Sequence, residues 1–189
     1  MGVLSAGARH LRTIAAVWFL ACGLCASATA LAAPTPGQVE AVFLFNFTQF
    51  VDWPPQAFAG PSSPIVIGVL GSDPFGASLD EVVRGETVNG HPLVVHRAQH
   101  IEELADSQIL FISRSERARL ASILAALKGR NILTVSDLEG FASEGGMIRF
   151  VLMENKVRLR VNLEATKAAG LTLSSKLLRV AQIVAPGEL

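Results

Sequence analysis

The sequence predicts an α/β fold: a single three-layer Rossmann-like domain with a mostly parallel sheet and an antiparallel C-terminal hairpin. Three observations predict it. Residues 65–70, 108–112 and 132–135 are short apolar runs rich in Ile, Val and Leu without polar alternation, as strands buried on both faces read. Helical patterns follow each of the first two runs, and strand-helix alternation predicts parallel pairing through crossovers. Near the C-terminus Ile148, Phe150 and Leu152 alternate across a turn with Val157, Leu159 and Val161, the period-2 pattern of a half-buried hairpin.

Taken in order, residues 1–32 read as a secretory signal peptide. Arg9 and Arg12 form a basic region, residues 14–24 an apolar one, and Ala28-Thr-Ala30 and Ala30-Leu-Ala32 are small-x-small cleavage sites. An uncleaved membrane anchor and a lipid anchor at Cys22 are the alternatives. Cleavage after Ala32 leaves residues 33–189 as one α/β domain, 157 residues long, with 14 basic and 16 acidic residues and a net charge of −2. Both cysteines, Cys22 and Cys25, fall within the signal, so the mature chain is expected to form no disulfide although it is exported. A near-neutral chain with no basic block argues against a nucleic-acid partner.

Residues 34–37 read as an extended lead-in and residues 38–53 as a helix stopped by Pro54-Pro55. At roughly 100° per residue, Val39, Phe43, Phe47, Phe50 and Val51 gather on one face. Phe45 points elsewhere, either packed under a loop or presented as an aromatic anchor for a partner. After the strand at 65–70, Gly71-Ser-Asp-Pro-Phe-Gly76 offers a turn, with Asp73 as a cap and Pro74 at the first position of a helix over residues 77–84. Asn89-Gly90 is a tight-turn signal between residues 86–88 and 92–97. His96 and His100 have helical metal-pair spacing but straddle a strand end and a helix start, so no metal site is expected.

A short helix at 101–105 precedes the strand at 108–112. Ser113-Arg-Ser-Glu116 has the spacing of a capping box, opening a helix to about Lys128 with Leu120, Ile123, Leu124 and Leu127 inward. After the strand at 132–135 and the hairpin, residues 164–169 read as a helix. Ser174 then caps a last helix running through Val184.

Three strand ends carry small polar or acidic residues: Ser72 and Asp73, Ser113 and Ser115, Ser136 and Asp137. In a parallel sheet they converge on one edge, forming a ligand-binding crevice with Phe75 as its apolar wall or serving as helix caps. Arg149, Arg158 and Arg160 fall on the outer face of the hairpin, a solvated surface or a contact for an acidic partner. No catalytic residue is expected: the chain lacks a Gly-x-Ser-x-Gly elbow, a Walker lysine, a His-Glu-x-x-His motif and, once mature, a cysteine nucleophile. No cofactor is expected either.

The ordered set Phe47-Thr-Gln-Phe-Val-Asp-Trp-Pro54, Pro64-Ile-Val-Ile-Gly-Val-Leu-Gly-Ser-Asp-Pro-Phe-Gly76, Ile109-Leu-Phe-Ile-Ser113, Ile132-Leu-Thr-Val-Ser-Asp137, Gly145-Gly-Met-Ile-Arg-Phe150 and Ser174-Ser-Lys-Leu-Leu178 resembles the YfiR-like family of periplasmic proteins. The resemblance spans residues 38–184. It implies a non-catalytic regulator that binds and inhibits the periplasmic domain of a membrane diguanylate cyclase, or of another sensor protein, to control cyclic-di-GMP signalling and biofilm. An outer-membrane lipoprotein is the second implied partner, and a homodimer is left open. The characterised type carries disulfides that tune this control; the mature sequence lacks the cysteines for them. The alternative reading is a periplasmic small-molecule-binding component of a sensing or uptake system, resting on the strand-end crevice.

Overall fold

The structure is a computed structural model that describes residues 33–185 and 187. The expected signal peptide and both cysteines lie outside the described residues. The first described element is helix α1 (Pro36–Phe50), which starts two residues earlier than the sequence pattern indicated. Its start is set by a capping box: the Thr35 amide donates to Gln38 Oε1 at 2.8 Å, the Gln38 amide donates to Thr35 Oγ1 at 3.3 Å, and Pro36 occupies the first turn. The helix ends at Phe50 because Val51–Asp52 is strand β1.

The succeeding elements are β2 (Ile65–Leu70), α2 (Ala77–Val83), β3 (Thr87–Val88), β4 (His91–Ala98), β5 (Ile109–Ile112), α3 (Leu120–Ala126), β6 (Leu133–Ser136), β7 (Ile148–Met153), β8 (Lys156–Val161), α4 (Leu163–Ala168), β9 (Thr172–Leu173), α5 (Ser175–Leu178) and β10 (Ala181–Ile183). Strand β1 pairs with β9 in a separate two-stranded ribbon. The remaining eight strands form one sheet in the order β3, β4, β2, β5, β6, β7, β8, β10. Strands β4, β2, β5, β6 and β7 are mutually parallel. In chain order they run 2-1-3-4-5, a doubly wound arrangement whose switch point lies between β2 and β5.

Each face of the sheet has its own core. Ile65, Ile67, Val69, Ile109, Phe111, Leu133 and Val135 meet α1 and α2 on one side, while Leu70, Leu110 and Ile112 meet Leu120, Ile123 and Leu127 of the α3 region on the other. Because side chains alternate along a strand, a strand covered on both faces must be apolar throughout. All six residues of β2 are accordingly buried.

The inward stripe of α1 is Glu40, Ala41, Leu44, Phe47 and Thr48. The face expected from periodicity is therefore rotated: Val39, Phe43 and Phe50 are half-buried and Val51 is buried as strand. Phe43 still contributes, because its ring lies 5.9 Å from Phe150, which also stacks on Phe47 at 6.1 Å and on Phe111 at 6.5 Å. These rings bind α1 to β5 and β7, each fully buried ring contributing about 1.5–3 kcal/mol.

Three further expectations are corrected. The segment from Ser174 is helical only to Leu178; Ala181, Gln182 and Ile183 pair in parallel with Leu159, Arg160 and Val161 and extend the sheet by one edge strand. Asp73 does not cap α2, whose N-cap is Gly76, and Pro74 precedes the helix; the Asp73 carboxylate instead accepts from the Phe75 amide at 2.7 Å. The Ser113 box does not close either: Ser113 Oγ accepts from the Ser115 amide, Glu116 turns to Ser115 and Arg119, and residues 114–119 form a 3-10 turn before α3. The Asn89-Gly90 turn joins β3 to β4 with both φ values positive, at 53° and 85°, as a two-residue hairpin requires.

Gly68 sits in β2 where the β5 side leaves no room: a Cβ there would lie 2.6 Å from Ser107 Oγ and 3.0 Å from Leu110 Cδ1. Gly68→Val is expected to destabilise the fold by about 1–3 kcal/mol through overpacking. Urea denaturation checks this; an unchanged midpoint would show that Ser107 and Leu110 give way.

Candidate functional site

The carboxyl ends of β2, β5 and β6 meet as expected, but their polar side chains are largely engaged with one another. The Ser72 amide donates to Ser115 Oγ at 3.0 Å, tying the β2 end to the β5 end. Ser136, wholly buried, donates its hydroxyl to the Ile112 carbonyl at 2.6 Å and accepts from the Leu138 amide. Ser113 is buried, and Gly71 closes the turn at φ 86°, where a Cβ would lie 2.3 Å from Ser115 Oγ. Phe75 is no crevice wall: it is 5% exposed and meets Phe111 edge-on at 4.7 Å.

Charged groups missed in the sequence complete this end. Arg97, at the end of β4, donates Nε to Asp73 at 2.7 Å, donates to Asp80 of α2 at 2.7 Å and reaches the Gly76 carbonyl at 3.1 Å. The Arg97 hydrogen bonds hold the Asp80 carboxyl below its ordinary range. Arg114 pairs with Asp137 at 2.7 Å. Glu40, on the buried side of α1, is influenced by both: burial raises its carboxyl from an ordinary 4.5 to about 7, Asp137 pushes the same way, and Arg114 opposes. Nothing local in the sequence marks Glu40 as part of this group, because α1 reaches it only through tertiary packing.

The predicted arginines lie on the other side of the ribbon made by β7, β8 and β10. Arg149 stands directly opposite Arg160, Val151 opposite Arg158 and Met153 opposite Lys156. These residues share the face away from Ile148, Phe150, Leu159 and Val161, which line the α1 core. Arg158, Lys156 and Met153 are exposed, whereas Arg149 and Arg160 are half-buried. Burial, then the charge of Arg160, lowers the Arg149 pKa. The Nε–H groups of Arg149 and Arg160 are buried without an acceptor, and Asp137 Oδ1 is buried without a donor. Phe45 is half-buried and packs against the main core.

A cleft of about 470 Å³ opens at the opposite end of the sheet, beside Phe58, Gln108 and Arg130. It is a weaker candidate on chemical grounds. Gln108 spends its amide on the Ala57 and Asp106 carbonyls and the Val66 amide, holding the amino ends of β2 and β5 together. His91 is likewise engaged, stacked 4.5 Å from Phe58 with Nδ1 2.6 Å from the Ser63 carbonyl.

Fold and site together define a doubly wound α/β domain with self-satisfied strand ends and a basic ribbon carrying unpartnered charge. The chain belongs to the YfiR/HmsC-like family, which it matches over residues 37–182. That family points to a regulatory role in cyclic-di-GMP signalling. No curated protein matches the chain. Among the described residues no helix is long and apolar enough to cross a membrane.

Glu40 predicts a pH dependence. The folded state holds its proton up to about pH 7, whereas the ordinary carboxyl releases it near 4.5. Its contribution is greatest below the lower value, is lost as pH rises through this window and levels off above it, a change of up to ~3 kcal/mol. Glu40→Gln removes this slope, and urea unfolding at either end of the window reads it. Parallel slopes for variant and parent would contradict the assignment.

Proposed function

We propose that this chain is a non-catalytic periplasmic regulator that binds the periplasmic domain of a membrane-bound diguanylate cyclase and holds it inactive. The match to the YfiR/HmsC-like family across residues 37–182 carries this reading. The basic ribbon supplies a contact surface of fitting chemistry. Arg158 and Lys156 stand exposed beside Val151 and Met153, a mixture of cationic and apolar groups able to recognise an acidic partner surface and dock on it. Arg149 and Arg160 border this surface, whereas Phe45, on α1 across the sheet, would be a separate contact. An outer-membrane lipoprotein that competes for the same chain would relieve the inhibition.

The test is a calorimetric titration of the domain from Ala33 onward into the purified periplasmic domain of each membrane diguanylate cyclase of the same cell. Saturable binding is expected, and Arg158→Glu weakens it by about tenfold or more, because it places like charges across the interface. Absence of binding to every such domain, with the protein shown folded, would overturn the reading.

A further inference from the structure

Arg149 and Arg160 differ from the arginines that are paired within the chain. Arg97 is bonded to two carboxylates and a carbonyl, Arg114 to Asp137, Arg117 to Glu144 and the Glu139 carbonyl, and Arg119 to Glu116 and the Gln99 carbonyl. Among the described residues the side chains of Arg149 and Arg160 make no hydrogen bond or ion pair, and each buries its Nε–H without an acceptor. They are also directly opposite in the β7–β8 register, where like charges repel. Glu139 and Asp137 attract Arg149 through space and Arg114 repels it, but neither carboxylate is bonded to it. Asp137 is held by Arg114 through Oδ2, and its Oδ1 is buried without a donor.

Two half-buried arginines thus face each other in register with their Nε–H groups unpaired. Each planar fork matches two oxygens of one acidic group, and an oxyanion between them would occupy the empty donors and cancel the repulsion together. Gln182, paired with Arg160 in the β8–β10 register, places a neutral amide at the margin. We infer that Arg149 and Arg160 form a binding site for a small oxyanion-bearing solute, a carboxylate or phosphate. This site stands independently of the cyclase reading.

The experiment is calorimetric and thermal-shift titration of the chain with inorganic phosphate and with succinate at constant ionic strength. Saturable binding of at least one is expected, with a raised unfolding temperature. Arg160→Gln weakens it by about tenfold or more, while Arg160→Lys, which keeps the charge but loses the fork, also weakens it. Arg130→Gln, exposed at the opposite end of the sheet, leaves it unchanged. Arg160→Met, freed of the like-charge contact, unfolds at no lower a temperature than the parent without anion and loses the anion-induced shift. Failure of both anions to saturate the site, or equal weakening by Arg130→Gln and Arg160→Gln, would overturn the inference. Binding of a glutamate-rich peptide without binding of either small anion would also overturn it and assign the pair to a protein partner's acidic side chain.

Discussion

Complete burial of β2 is the constraint on which the rest of the structure depends. Its two faces are covered by separate cores and its two edges by β4 and β5. Such a strand has no solvent to satisfy its backbone, so every amide and carbonyl must find a partner within the protein. The ladders meet that need along its length, and side chains meet it at the ends. At the amino end the Gln108 amide accepts from Val66. At the carboxyl end the Leu70 carbonyl takes the Ser113 amide and the Ser72 amide goes to Ser115 Oγ. The polar residues that looked like a ligand crevice are thus the ones that finish the sheet.

Much of this architecture was legible because both-face burial leaves a strong mark. Residues 65–70, 109–112 and 133–136 carry unbroken apolar or small side chains, and period-2 alternation exposes the β7–β8 ribbon together with the outward side of its arginines. What escaped reading depended on partners distant in sequence. The inward stripe of α1 was misplaced because Phe43 and Phe50 contact the core from its margins, while Ala41 and Leu44 occupy its centre. Strands β1 and β9 are two residues each, too short to leave a period. The stretch after Leu178 contains Val180, Ile183 and Val184, whose β-branching suits a strand better than the helix drawn through them, and β8 offered the free edge. Only Thr35-x-x-Gln38 was a local signal overlooked.

The candidate site divides in the same way. Ser113, Ser115, Ser136 and Asp73 have their hydrogen-bonding capacity taken up within the fold, which leaves little for a ligand. Glu40 joins that end only through tertiary packing, and the consequence is a proton-holding carboxyl. The ribbon presents the opposite case. Its unpartnered guanidinium groups lie beside exposed Arg158, Lys156 and Met153, so the chemistry left over after folding is cationic and faces outward. A regulator that acts by contact needs such a surplus, and the account therefore rests on this face.

Hydrogen-exchange mapping of the domain, alone and saturated with the proposed cyclase periplasmic domain, tests that claim most directly. The account predicts new protection at the exposed amides of residues 151–158, with residues 72–75 and 113–116 unchanged. Protection confined to those strand ends, or to the cleft around Phe58 and Arg130, with none on the ribbon, would contradict it.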